Sequence, residues 1–293
     1  MIVIRRMEKV KNTLLPGFLL LVIIALLVFI YYNTFAMLVI DWGINPDYSH
    51  GYLIPFISIY MMWHALMERH PTVYLSSMWE LLPFLAGVAL QVVALVGAEH
   101  FLQGVSLVVV LWGLSLFLGG KEVARCLAVP VGYLIFMIPL PSIIWNKISL
   151  LLKLQASNIT SFLLSTYGSI PFMQEGNIFH LTSGALEVAD ACSGLRSLIS
   201  MLALGVLIAF ISRYTLWKKW VLVIAAFPIA IIANIIRLVL LVFLADRYGI
   251  SIAESFMHTL SGILVFVIGL IMLFGVHVLL ASKGQVPMKS EQL

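Results

Sequence analysis

Long apolar runs dominate the chain, separated by short polar segments. They fall near 14–32, 51–67, 79–97, 103–119, 126–142, 194–211, 219–245 and 257–281. Each is close to the ~20 residues that a helix needs to cross a bilayer. Only helices and closed barrels satisfy their backbone in lipid, and these runs lack the strict alternation of barrel strands. The pattern predicts an all-α polytopic membrane protein of about eight transmembrane helices, forming a single bundle domain over 1–293.

The segment 143–192 departs from this pattern. Over Ile144 to Ser165, the polar residues Asn146, Ser149, Lys153, Ser157 and Thr160 recur every three or four positions. That is one face of an amphipathic helix, expected to lie in the outer membrane interface. The Asn158-Ile-Thr160 sequon falls on it, where a helix against lipid makes a poor acceptor. Asn177 to Thr182 and Ala185 to Ala189 then alternate about Ser183-Gly184, predicting a small β-hairpin before the sixth helix. Non-helical backbone at membrane depth must be covered by protein or line a wet cavity. The hairpin is therefore expected to be a lid or a substrate-binding edge.

Composition agrees: 62% of residues are hydrophobic and 10% charged, against about 25% charged in soluble domains. Charge placement sets the orientation. Arg5, Arg6, Lys9 and Lys11 precede the first run, Arg69 follows the second, and Lys121 and Arg125 follow the fourth. Arg213, Lys218 and Lys219 follow the sixth, and Lys283 and Lys289 lie in the tail. The alternate loops are poorer in basic residues. Residues 1–13 and 282–293 are therefore expected in the cytoplasm. The net charge of +4 is this bias, and no nucleic-acid partner is expected. The first run is longer than a signal-peptide core and reads as a retained anchor.

In this topology Cys126 is at the inner side and Cys192 at the outer side, so they cannot pair. Two such cysteines fit no zinc spacing. No His-x-x-x-His pair, phosphate-binding loop or Gly-x-Ser-x-Gly elbow occurs, so neither metal nor cofactor is expected. His64, His70, His100, His180 and His277 form no pattern of their own.

Cys192 sits in Asp190-Ala-Cys-Ser-Gly-Leu-Arg196, where the polar segment meets the sixth helix. Asp190 is placed to cap that helix, which would put Cys192 in its first turn. The helix N-terminus favours a thiolate, whereas the Asp190 carboxylate opposes one. A buried cysteine also packs well as a small apolar residue. Arg237 lies in the interior of the seventh run, three residues after Asn234 and on the same face. A buried arginine is costly and faces a cavity or a partner. It reads as a functional cation, as a structural partner of Asp190 or Glu187, or as a lipid-headgroup contact. His258 opens the eighth helix at the same height. Arg196 either pairs with Asp190 or meets substrate. Asp47-Tyr-Ser49-His50-Gly51 forms a second polar cluster at the outer end of helix two, lining the same cavity or making a capped turn.

These residues resemble the exosortase/archaeosortase family of membrane cysteine transpeptidases. The likeness is carried by Ala191-Cys-Ser-Gly-Leu-Arg196, Asn234-Ile-Ile-Arg237, His258, Asp47-Tyr-Ser-His-Gly51 and Ile138-Pro-Leu-Pro141. It implies a bacterial inner-membrane enzyme with its site facing the periplasm and Cys192, Arg237 and His258 as catalytic residues. Asp190, Arg196, Asn234, Ser49 and His50 would bind substrate. The implied partners are membrane lipids and exported proteins that end in a Pro-Glu-Pro-type motif, an apolar helix and a basic end. The acceptor would belong to the exopolysaccharide or another envelope pathway. Two other readings compete: a membrane acyltransferase or thioesterase using the same thiol, and a transporter using Arg237.

Overall fold

The structure, a computed structural model, describes residues 2–73, 77–167, 170–189, 192–253 and 261–282. Its helices are α1 (Ile2–Ile44), α2 (Ile54–Arg69), α3 (Leu82–Val96), α4 (His100–Tyr133), α5 (Ser142–Tyr167), α6 (Leu195–Ile211), α7 (Leu216–Tyr248) and α8 (Ser261–Ser282). A 3-10 turn, Pro46–Tyr52, joins α1 to α2. Between α5 and α6 lie three short strands, β1 (Phe172–Glu175), β2 (Ile178–Leu181) and β3 (Gly184–Glu187). Among the described residues, six helical stretches are long and apolar enough to cross a membrane: 21–44, 78–96, 100–137, 142–167, 216–248 and 262–281. α6 is a shorter apolar helix, and α2 has 16 residues.

Two predicted runs merge into α4. Trp112 Nε1 donates to the carbonyl of Ala124 at 3.2 Å. In a straight helix those residues would stand about 18 Å apart. The axis therefore bends sharply at Gly120, whose φ is +80°. Only glycine takes that conformation cheaply, so the Gly119-Gly120 pair supplies the corner between the runs 103–119 and 126–142. α1 extends beyond its predicted run 14–32 at both ends.

A buried polar network ties α1, α3 and α4 together. Gln91 Nε2 donates to Thr34 Oγ1 at 3.1 Å, and Thr34 Oγ1 donates to Gln103 Oε1 at 3.2 Å. The single Ser106 hydroxyl proton faces Gln91 Oε1 at 2.6 Å and the Gln103 carbonyl at 2.7 Å. The Tyr31 hydroxyl, 3.2 Å from Ser106 Oγ, must then be the donor in that contact. Each interhelical bond of this kind contributes roughly 0.6 kcal/mol, and together they fix one helix register.

The connecting segments separate into two ends. At one end Arg213 meets Glu68 at 3.7 Å, Lys121 meets Glu80 at 3.5 Å, and Thr72 donates to Glu122. At the other, the 3-10 turn, the strands and the start of α6 gather. There Trp42 Nε1 donates to the Met137 carbonyl at 2.8 Å, and the Leu140 amide donates to the Tyr48 hydroxyl at 2.9 Å.

The polar face of α5 turns inward. Ser149, Ser157 and Thr160 are buried, and α5 packs against α7. The Asn158-Ile-Thr160 sequon is closed from both sides: Thr160 is buried, and Asn158 Oδ1 accepts from Gln174 Nε2 of β1 at 2.9 Å.

The predicted hairpin is present as β2 and β3, but its two-residue turn is Thr182-Ser183, one position earlier than Ser183-Gly184, because Gly184 pairs with Leu181. The sheet has one strand more than expected, in the order β1-β2-β3. Gly176-Asn177 turns β1 into β2, with Gly176 at φ +61°. The inner face of the sheet, Phe179, Leu181 and Leu186, packs with Val188, Cys192 and Leu238 in one core. Ser183 Oγ fastens the hairpin tip to the Ala245 carbonyl of α7 at 2.9 Å.

Candidate functional site

The Cys192 loop is built from a tight turn and a glycine. The Cys192 amide donates to the Ala189 carbonyl at 2.8 Å. Ser193 Oγ accepts from the Leu195 amide at 3.3 Å. Gly194, at φ +79°, is the N-cap of α6. The helix thus begins at Leu195, and Cys192 lies before it rather than in its first turn. Asp190, expected to cap the helix, lies outside the described residues, as does His258.

Helix α7 grips this loop. Asn234 Nδ2 donates to the Cys192 carbonyl at 3.0 Å. A Cβ on Gly194 would come within 2.8 Å of Asn234 Cγ, so the close approach needs glycine. Arg237 is one turn further along the same face of α7 and is 6% exposed. Its depth is about 16 Å from the Tyr48-side end of the bundle, where α7 finishes at Tyr248. Cys192 itself is 1% exposed. Burial pushes its thiol above the ordinary value, while the positive charge of Arg237, then of Arg196 and Lys153, pulls it down. Burial wins, so the resting thiol is neutral. Beside the loop, Ser193, Gly194, Asn234, Gln155, Ala156 and Ile231 line a cavity of about 240 Å³. The Asn234 Oδ1 atom is buried without a hydrogen-bond partner among the described residues.

The second cluster is joined to the first. Arg196 Nε donates to Asp47 Oδ1 at 2.7 Å, so its partner is Asp47 of the 3-10 turn. Asn45 caps that turn by accepting the Asp47 amide at 3.0 Å. His50 Nε2 donates to the Phe136 carbonyl at 3.2 Å. Burial holds its imidazole below the ordinary value, and Arg196 adds to that. His50 is therefore neutral and braces the 3-10 turn. Ser49 is exposed and does not join the cluster. A polar cavity of about 330 Å³ adjoins, lined by Asp41, Asp47, Tyr48, Trp145, Asn146 and Ser149.

Cys192, Asn234 and Arg237 are thus brought together, with Arg196, Asp47 and His50 alongside. Sequence reading missed Ser193, Gln155 and the electrostatic reach of Lys153. The polar spacing on α5 is the available signal for Gln155 and Lys153, but from sequence it reads as the face of an amphipathic helix in the outer membrane interface. Cys126 and Cys192 are both buried and neither is in a disulfide; Cys126 Sγ donates to the Ala65 carbonyl at 3.2 Å. Among the described residues, no group of three or more His, Cys, Asp or Glu is placed to hold a metal.

The apolar helices define the class, a multi-pass membrane protein, in which α7 holds the main chain of the buried Cys192 loop. The chain belongs to the transmembrane exosortase family, whose model matches residues 42–275. That span includes the 3-10 turn, the Cys192 loop and the Asn234–Arg237 face. No curated protein and no solved structure matches the chain.

Proposed function

We propose that this membrane exosortase is a cysteine peptidase and transpeptidase that acts through an acyl-thioester on Cys192. Its substrates are exported proteins ending in a Pro-Glu-Pro-type motif, an apolar helix and a basic end. What supports this is the α7 face on which Asn234 holds the Cys192 carbonyl while Arg237 lies one turn away.

In this mechanism the Cys192 thiol passes its proton to a base, a role assigned to His258, and its sulfur adds to the scissile carbonyl. The resulting oxyanion is stabilised by the Arg237 guanidinium. That group stays charged, so its contribution is electrostatic. The carbon–nitrogen bond breaks, and the leaving amine takes the proton back. An acceptor amine or hydroxyl from the envelope or exopolysaccharide pathway then attacks the thioester. Its proton restores the thiol. A neutral resting thiol suits this order of events, because ionisation waits for the base and substrate.

The loops that carry Lys121 and Arg213 lie at the end of the bundle opposite Cys192. By the positive-inside bias that end is cytoplasmic, with both termini, and the thiol faces the periplasm of a bacterial inner membrane.

The test is to trap the acyl-enzyme. The protein is co-expressed with a tagged tail substrate, quenched, and digested for mass spectrometry. A hydroxylamine-sensitive adduct on Cys192, lost in Cys192→Ala, is expected. Tail processing that continues in Cys192→Ala would overturn the proposal.

A further inference from the structure

Among the described residues no strand pairs with the outer edge of β3, the strand that precedes Cys192 in the chain. Alternate residues of an antiparallel strand direct their backbone groups to opposite sides. The turn places Leu181 opposite Gly184, the closing hydrogen-bonded pair of a two-residue hairpin. The Val188 amide donates to the Asn177 carbonyl at 3.0 Å, which fixes the same parity at the other end. Gly184, Leu186 and Val188 therefore turn their N–H and C=O groups toward β2. Ala185 and Glu187 turn theirs away, to the free side. Both residues are exposed, whereas Leu186 is buried.

The opposite edge is not equivalent. β1 is docked on α5, where Gln174 bonds Asn158 at 2.9 Å. An open edge is a template for a further strand, and natural sheets usually blunt it. Ile250 closes off Gly184, where a Cβ would lie 2.6 Å from its Cδ1, so the available stretch begins at the small, exposed Ala185.

We infer that β3 is the docking strand for an extended peptide, which pairs through the N–H and C=O groups of Ala185 and Glu187. This mode of recognition draws affinity from main-chain bonds. Glu187 precedes Cys192 by five residues, an extended reach of at most about 17 Å. A peptide paired on β3 therefore lies within that distance of the thiol, which is 1% exposed and has to be uncovered before a carbonyl meets it. The occupant is an extended protein segment, as opposed to a lipid or a free sugar, because only a peptide repeats donors and acceptors at the strand spacing. The inference rests on the acyl-transfer reading for its substrate, and the sheet edge alone for its geometry.

The experiment uses the full-length protein in detergent with Cys192→Ser, so that binding is read without turnover. The probe is a synthetic Pro-Glu-Pro-type tail peptide whose flanking amides are replaced one at a time by esters. Each ester removes a single N–H. Binding is expected to weaken about two- to tenfold at positions two residues apart and to stay unchanged between them. Ala185→Pro in the protein should weaken binding similarly. The missing N–H faces outward, a place where an edge strand tolerates proline, and hydrogen exchange of the Leu186 amide checks that the hairpin persists. A flat ester scan, or no binding, overturns the inference. The wild-type protein with the same peptide separates the two readings. A period-two scan without acylation of Cys192 keeps the docking strand and rejects the thiol mechanism. A flat scan with acylation does the reverse.

Discussion

Asn234 on α7 donates its side-chain amide to the main-chain carbonyl of Cys192 at 3.0 Å, and its Cγ stands where a side chain on Gly194 would have to go. The same amide therefore fixes both sides of the turn that presents the thiol. Asn234→Ala leaves the buried Cys192 carbonyl without its donor, at a cost of about 1–3 kcal/mol. Thermal unfolding in detergent should register that loss, and the rate of tail cleavage should fall further than stability alone accounts for. Equal loss in stability and no change in cleavage would make Asn234 a purely structural clasp.

Gly194→Ala is expected to be worse than an ordinary glycine substitution. The φ of +79° disfavours any Cβ, and the nearest obstacle, Asn234 Cγ, lies only 2.8 Å from it. Left-handed backbone at a non-glycine residue costs about 1–3 kcal/mol before any clash. The paired variant Gly194→Ala with Asn234→Ala removes the two nearest contacts, leaves the Asn234 Cβ at 3.0 Å, and keeps the backbone strain. Its melting temperature should therefore exceed the additive expectation from the two single variants.

Much of this arrangement was legible in the sequence because it follows from simple periodicities. Runs of apolar residues gave the bundle, the alternation around Ser183-Gly184 gave β2 and β3, and the three-residue step from Asn234 to Arg237 put them on one face. The parts that were not legible depend on tertiary partners. β1 (Phe172–Glu175) is as short as β2 and β3, and it becomes a strand only by pairing with β2 across Gly176-Asn177. The small polar residues of α5 read as water-facing because the sequence does not say that α7 is their neighbour. The pairing of Arg196 with Asp47 joins residues 149 positions apart, and no local pattern distinguishes Asp47 from Asp190 as the partner.

That pair is expected to contribute little to stability and more to alignment. Arg196 is 41% exposed at its side chain, so solvent screening limits the pair to about 0.2–1 kcal/mol. A double-mutant cycle with Asp47→Asn and Arg196→Gln should return a coupling in that range. Exchange of the two residues, Asp47→Arg with Arg196→Asp, should recover cleavage lost in either single variant if alignment of the 3-10 turn with α6 is the role.

The thiol should titrate late. Burial raises the Cys192 value above that of an ordinary thiol, and Arg237 is the foremost of the charges opposing the rise. Alkylation by a small maleimide should therefore still be accelerating above pH 9, and Arg237→Gln should move the profile to higher pH. The sign for stability follows. The unfolded chain ionises this thiol from about pH 8.5, while the folded chain keeps the proton. The fold is unaffected below that pH and loses stability as the pH rises beyond it. An alkylation profile centred below pH 7 would show that the guanidinium outweighs burial.

The sheet also acts as a cover. Phe179, Leu186 and Val188 share one buried core with Cys192, and the thiol is 1% exposed, so a bulky reagent reaches it only when something moves. The Ser183 hydroxyl on the Ala245 carbonyl is the bond that closes the hairpin tip onto α7. Its loss in Ser183→Ala should favour the open form by about 0.5–1.5 kcal/mol, which speeds labelling by a membrane-impermeant maleimide roughly two- to tenfold. Leu186→Ala should act in the same direction by weakening the packed face. If both variants label at the wild-type rate, the reagent does not enter under the sheet. The cavity along α5 at Gln155 and Asn234 then becomes the route, and Gln155→Trp should slow the labelling that the hairpin variants left unchanged.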